Sequence, residues 1–510
     1  MAANITAFVD VTVTVGSVLP DRFSFGSYLQ VAEHNVTANR VDGPFADLAE
    51  LVAAGFTTSA APEVYYAAAA AFGVGAGVDA VLVGRKIAST GGVLEQVWQY
   101  EASPETYVDE TVDANDAGAG DWQIFPTAEA VGDAMIIGLP VPFASLTLSS
   151  AGGTAGVDAG SLAVVWEYWT GAAWTALAGV SDGTSGFTAA AAAGQVVSWT
   201  QPINWAPVAL GANADLLYYV RARISAGSYS TNPLYTVGIV TGDSTWADAM
   251  TQISATYGSA GWYGHTISSR TQADIESVAA WTESSGEHLF VSQSADATYL
   301  SGTAGNVGLV LQAAGYSRSV GPLYHLTSSG SANGYADAAW ASKALGYDLD
   351  SPGGRGIWAY VTLAGITYDA VSSASATNVW AADGNIYGRN AGLSFTSKGT
   401  LASGEYVDIQ TTIDWISLRL QEDTIAEFVG ATVIPYTDAG LARLQAMIKN
   451  RLDIGVTNGH FAAAPEPTVT VPKISSLSAA QRQSRTLQAS CVAYLAGGVQ
   501  KLELAVNLSF

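Results

Sequence analysis

Both ends of this 510-residue chain alternate with a period of two, and that alternation constrains the fold more than any other feature. Near the start, Val9, Val11, Val13 and Val15 fall on one face of an extended strand, with Asp10, Thr12 and Thr14 on the other. At the far end Leu502, Leu504, Val506, Leu508 and Phe510 line one face, and Lys501, Glu503, Asn507 and Ser509 the opposite one. A lone amphipathic strand exposes unpaired N–H and C=O groups and a bare apolar face, so each end must add to a sheet. The sheet can be the chain's own. It can also belong to a neighbouring copy, in which case main-chain hydrogen bonds join the subunits. Repeated head to tail, such a contact generates a helical filament or tube.

Between the ends the rhythm changes several times. At ~150 residues per domain the length predicts about three or four folded units. PFADLAELVAAGF and PEVYYAAAAAFG read as helices and Val78–Arg85 as a short strand buried on both faces, the pattern of an α/β layer. From about 101 to 240 Gly, Ala, Thr and Ser dominate, and SLAVVWEYWTG, QVVSWTQPINW and LLYYVRARIS read as strands of a sandwich inserted into that layer. Helical candidates TWADAMTQISATY, QADIESVAAWTESSG, NVGLVLQAAGY and YADAAWASKALG then alternate with strand candidates WYGHTIS, HLFVSQS and SVGPLYHL. In GEYVDIQTTIDWISLRLQEDTIAEF, Ile413, Ile416, Leu420 and Ile425 mark a helix face. TDAGLARLQAMIKNRL is a helix with its N-cap at Thr437 or Asp438 and an apolar stripe of Leu441, Leu444, Ile448 and Leu452. Leu487, Ala489, Cys491, Ala493 and Leu495 alternate into Gly497-Gly498, which predicts a hairpin with the terminal strand.

Composition excludes several classes of function. With 20 Lys+Arg against 44 Asp+Glu the formal charge is -24, which opposes binding to nucleic acid or to an anionic membrane surface. The charge is uneven: from residue 431 onward it is +3, leaving -27 for the rest. A single cysteine, Cys491, excludes an internal disulfide and a CxxC metal or redox site. The amino end carries no basic, then apolar leader and no run of about 18 apolar residues occurs, so the expectation is folding in a cytoplasm without membrane insertion.

No GxxxxGK[ST], HExxH or GxSxG motif is present, so a triphosphate cradle, a zinc helix and a nucleophile elbow are not expected. Gly73, Gly75 and Gly77 precede a strand instead of linking strand to helix, and read as a turn. His34, His265, His288, His325 and His460 are scattered without ligand spacing. Two acidic clusters, Asp113 to Gly118 and Asp348 to Gly354, resemble calcium loops but carry Ile124 and Ala359 where the bidentate glutamate is needed, and read as solvated turns. Trp166, Trp169, Trp174, Trp199 and Trp205 suit a sandwich core, with a glycan-stacking platform as the alternative. Arg221 and Arg223 share one strand face and are expected to form a surface ion pair with nearby acids, the alternative being exposure for a partner. No catalytic, cofactor-binding or metal residues emerge, and the expectation is a chain that is not an enzyme.

The sequence resembles the tail sheath proteins of contractile-tailed bacteriophages. The likeness is carried by VDVTVTVGSVLPDRFSFGSYLQV, AELVAAGF, AAAAAFG and VLVGR near the start. Near the end it is carried by GEYVDIQTTIDWISLRLQ, IPYTDAGLARLQAMIKNRL and VTVPKISSLSAAQRQSRTLQASCVAYLAGGVQKLELAVNLSF. It spans about two-thirds of the chain in diffuse patterns and leaves out 101–240. The resemblance implies a multidomain α+β and α/β fold: an N-terminal arm (1–20), an α/β sheath core (21–100 and 241–430), an outward-facing inserted β-sandwich (101–240) and a C-terminal α+β domain (431–510) facing the tube. Strand-exchanging arms would be Val9, Val11, Val13 and Val15 and Leu502, Leu504, Val506, Leu508 and Phe510, with Leu487–Leu495 in the receiving sheet. Arg443, Lys449 and Arg451 would meet an acidic tube. The implied partners are further copies in stacked hexameric rings, a tail tube protein, and baseplate and tail terminator proteins. The implied place is the virion tail sheath, assembled in the host cytoplasm, needing no cofactor and contracting from a trapped high-energy packing to drive the tube through the host envelope. The competing reading is a virion or surface adhesion module whose Trp-rich sandwich binds glycans.

Overall fold

In the computed structural model of the chain the described residues are 25–34, 36–37, 39–87, 94–116, 122–140, 142–143, 145–149, 154–158, 160, 162–189, 195–200, 202, 204–235, 237–241, 243, 245–258, 261–326, 330–354, 356–431 and 433–500. The predicted arm strands at Val9–Val15 and Leu502–Phe510 lie outside them. The fold is mixed α+β with several sheets. It divides into two units. Of the described residues, the first holds those up to Ala32, Gly43–Val83 and those from Gly258 on; the second holds those within Glu33–Asp42 and Gly84–Tyr257.

A five-stranded sheet runs in the order Leu289–Phe290, Gly264–Ile267, Tyr28–Glu33, Val81–Lys86, Val41–Phe45. Gly264 lies opposite both Tyr28 and Leu289 in parallel pairs. Parallel neighbours need a crossover, supplied by the helix Gln272–Ser285, which stops where Gly286 turns left-handed at φ 69°. The predicted helix PEVYYAAAAAFG is Pro62–Gly73, and its alanines are a packing surface: Ser342 on the helix Ala336–Leu345 donates Oγ to Ala71 O at 2.7 Å. Approach this close leaves no room for larger side chains, and a Cβ on Gly346 would stand 2.4 Å from the carbonyl carbon of Gly77. A second sheet, Gln293–Ser294, Leu323–Tyr324, Asn385–Asn390 and Leu393–Thr396, is parallel except for its last pair.

The helix Val407–Gly430 departs from its predicted stripe. Ile416 and Leu420 are buried as expected, yet Asp408, Gln410, Thr411, Thr412, Asp414 and Ser417 are buried too. Asp414 explains how. Arg318 donates both Nη groups to its carboxylate at 2.5 and 3.0 Å, Tyr263 donates its hydroxyl at 2.6 Å and Gln410 its amide at 2.9 Å. Burial, then the Asp414 charge, pushes the Tyr263 hydroxyl far above its usual pKa, so it remains a donor. Asp414→Asn leaves the Arg318 guanidinium buried and unpaired. Urea unfolding followed by circular dichroism should show this unit destabilised by about 3–5 kcal/mol, and Arg318→Met with Asp414→Leu should cost much less. Equal stability of wild type and Asp414→Asn would contradict the network.

The second unit is a two-sheet sandwich. One antiparallel sheet runs Trp174–Ala176, Ala163–Trp169, Tyr218–Ala226, Ala134–Leu139, Gln96–Ala102, Glu105–Asp109. The other runs Ala178–Asp182, Gln195–Thr200, Ser145–Ser149, Val237–Thr241. Trp166 and Trp199, one from each sheet, stack with ring centres 6.2 Å apart, and Trp205 joins them through Phe143. Each of these three indoles donates its N–H, to Asp182, Phe143 O and Tyr219 O respectively. The unit therefore extends beyond the 101–240 read from composition. Gln96–Ala102 hydrogen-bonds along the sheet, and a bidentate pair, Arg40 to Asp243 at 2.6 and 2.9 Å, fastens the short Glu33–Asp42 segment to the unit's last stretch.

Candidate assembly interface

The C-terminal region gathers the predicted tube-facing residues and the predicted receiving strand. Its frame is the helix Asp438–Asn458, capped by Thr437, whose hydroxyl accepts from Gly440 N, and closed by Gly459 at φ 86°. Leu441, Leu444 and Leu452 of the expected stripe are buried, and the helix packs on Val407–Gly430.

The three basic residues singled out on this helix are all engaged within the chain. Arg443 pairs with Glu427, and Arg451 holds Asp423 through two 2.7 Å bonds. Lys449 pairs with Asp453 and, at 2.8 Å, with Glu466. The acids at 423 and 427 come from the end of the preceding helix, so much of the local positive excess is met across the helix pair. Arg443 and Lys449 keep substantial exposure, at 53% and 30% of their side chains, which leaves their heads in reach of solvent and of a partner.

The strand Ser490–Val492 pairs with Thr468–Thr470, Cys491 lying opposite Val469. Pairing continues beyond it, with Ala462 N donating to Tyr494 O at 2.7 Å and Ala496 N to His460 O at 3.0 Å. The outer edge of Thr468–Thr470 is covered, because Gln445 donates to Val469 O at 2.9 Å. No strand among the described residues pairs with the other edge of Ser490–Val492. Apolar groups stand in solvent along this segment: Val492, Tyr494 and Leu495 are about half exposed and Val499 is 85% exposed. The predicted hairpin limb was legible up to this point, and its partner at 501–510 lies outside the described residues.

Elsewhere the predicted chemistry resolves into structure. Asn115 binds Leu94 through both its N–H and its C=O, and Asp350 takes bonds from Trp415 and Arg419, so both acidic clusters are built into local frames. No group of three or more metal-binding side chains occurs among the described residues. All five histidines are buried. His288 lies parallel to both Trp262 and Trp281, 4.5 and 5.7 Å away, and its Nδ1 faces Trp262 O at 3.0 Å. His265 stacks on Phe290 and shares a 3.0 Å bond with Thr282.

Burial, which disfavours the imidazolium, pulls His288 down to about 4 and His265 well below the usual range. Both are neutral in the folded unit, while the unfolded chain takes up protons near pH 6.5. Their contribution to stability is therefore complete above about pH 6.5 and falls away as the pH drops toward 4. In urea titrations at successive pH values, His288→Asn should flatten that fall by about one proton, about 1.4 kcal/mol per pH unit. An unchanged slope would show that His288 does not titrate this way.

No family model matches the chain. No curated protein matches it either. The similar solved structures include the sheath tail protein of Listeria innocua, at TM-score 0.42 and 10% identity over 92% of this chain and 96% of that one. They also include the sheath tail protein of Desulfitobacterium hafniense, at TM-score 0.39 and 9% identity over 96% of this chain and 99% of that one. A third is the helical sheath of the anti-feeding prophage in its contracted state, at TM-score 0.38 and 12% identity over 54% of this chain and 78% of that one. The similar solved structures thus include sheath tail proteins, sheaths in a contracted state and the baseplate of the anti-feeding prophage, all at low sequence identity.

Proposed function

We propose that the chain is a structural, non-enzymatic subunit of a contractile tail sheath that polymerises helically around an inner tube by strand exchange. The observation that carries this reading is the edge of Ser490–Val492 that no strand among the described residues covers, with exposed Val492, Tyr494 and Val499 along it and the alternating segment Leu502–Phe510 following in the sequence. A two-stranded ribbon is marginal in water, and a strand from another copy completes it by main-chain hydrogen bonds. The second alternating segment, Val9–Val15, is of the right kind to supply such a strand, and the resemblance of both ends to phage sheath proteins points the same way. Heterologous contacts of this type close into rings or propagate into tubes. A sheath assembled in a strained packing contracts downhill when released and needs no nucleotide. The phage setting, the stacked hexameric rings, and the tube, baseplate and terminator partners belong to the same proposal.

Electron microscopy of the purified chain, over a range of concentration and salt, should show hollow striated tubes. Deleting Leu502–Phe510 should abolish them while the circular dichroism of the monomer is retained. Tubes formed by that deletion variant would sink the strand-exchange reading. Docking on the tube through Arg443, Lys449 and Arg451 exchanges in-chain partners for acids of the tube, so added salt should weaken it. Unchanged tube decoration by a chain with all three reversed to glutamate would defeat the tube-facing assignment.

A further inference from the structure

Trp98, Trp169 and Trp174 are absent from the sandwich core and lie on the other face of its six-stranded sheet, where Trp98 is buried in a second small cluster against which Trp174 packs. Trp166 and Trp169 stand three apart on one strand and so point to opposite sides. Trp169 meets Trp174 edge to face at 5.7 Å, and the Arg221 guanidinium lies over the Trp174 ring, 4.4 Å from its centre. In register, Arg221 sits between Glu167 on one neighbouring strand and Ile136 on the other. Further along the same face Tyr100 and Tyr107 pair across strands with rings 4.9 Å apart, and Tyr107 is 36% exposed.

Arg221 is poorly solvated and underused. Its side chain is 14% exposed, and burial pulls its pKa below the usual guanidinium value. It gives Nε to Glu167 at 2.6 Å, while Arg223 takes both oxygens of the same carboxylate at 2.9 and 2.8 Å. Its two terminal amino groups donate to no described residue. Two arginines share one glutamate in a region whose only basic residues, from 101 to 240, are Arg221 and Arg223 against 13 acids, with Glu105 and Asp133 near enough to act on Tyr100 of the same face.

The geometry points to a binding site for a carboxylate-bearing saccharide on this face. The carboxylate takes the two free Nη groups of Arg221 as a planar fork, and the apolar C–H face of the sugar ring packs on Trp174 or on the Tyr100/Tyr107 pair. A single guanidinium fork within an acidic region favours a polymer whose carboxylates are spaced by neutral sugars and disfavours a densely charged one such as nucleic acid. The site lies wholly within the second unit and does not rest on the sheath reading.

The test is calorimetric titration of the full-length chain with a hyaluronan hexasaccharide, in which uronate and neutral amino sugar alternate. Maltohexaose serves as the neutral control and a glutamate-rich peptide as the alternative carboxylate. The hexasaccharide should bind, maltohexaose should not, and Arg221→Gln, Trp174→Ala and Tyr107→Ala should each weaken binding about tenfold or more at unchanged melting temperature. Tyr107 stands at an exposed strand, so its substitution keeps the test valid if either other variant unfolds. No binding of the hexasaccharide by the wild-type chain overturns the proposal. So does equal binding of maltohexaose, equal binding by the variants, or tighter binding of the peptide.

Discussion

Charge pairs withdrawn from water hold together segments that are far apart in the chain. Arg318 and Asp414 are 96 residues apart, and Arg40 and Asp243 are 203 apart; each pair is bidentate and nearly inaccessible to solvent. Buried ion pairs are seldom large net stabilisers, since desolvation offsets much of their attraction, but a mismatched partner leaves a bare charge and costs several kcal/mol. Such pairs therefore select arrangements more than they strengthen them. That selectivity matters in a chain whose units are each assembled from separate stretches. In the second unit the ten residues Glu33–Asp42 bring little apolar surface, and Arg40 gives them an address: Asp243, which also accepts from Ile87 N at 2.8 Å.

Local pattern was enough to find most elements. PEVYYAAAAAFG and TDAGLARLQAMIKNRL announced their helices through Pro near the start, a Thr cap and a coherent apolar stripe. The pairing of Arg221 and Arg223 with an acid was foreseen because two arginines on one strand face of an acidic region have few other outlets. What was missed depended on partners remote in sequence. Nothing within IQTTIDWISL says that Asp414 is buried, because the reason is Arg318. Gln96–Ala102 is defined as a strand by its neighbours in the sheet, not by a shift in composition.

The tryptophans show where a signal was present and unread. In AVVWEYW alternation alone separates Trp166 and Tyr168 from Glu167 and Trp169, so one strand supplies both core and surface aromatics. Composition counted the rings; only the pleat assigns them to sides. The same two-sided logic applies to the first unit, where the helix Val407–Gly430 is buried nearly all round in its first half and bears an apolar stripe too narrow to predict it.

The charge distribution bears on how such a subunit can associate. A chain at -24 repels its own copies at long range, so attraction between them must come from contacts of short range and fixed direction. The strand addition proposed above is that kind of contact, since its hydrogen bonds act only once the backbones are in register. The basic residues of Asp438–Asn458 are largely matched by Asp423, Glu427, Asp453 and Glu466, which keeps the +3 of the C-terminal region from gluing copies together out of register. Salt then acts oppositely on two kinds of contact: it relieves the repulsion between acidic copies and so favours strand addition, while it screens attraction between basic heads and an acidic partner. In the proposed sheath, subunit-to-subunit order is carried by backbone geometry, and charge is left to choose what the assembled surface meets.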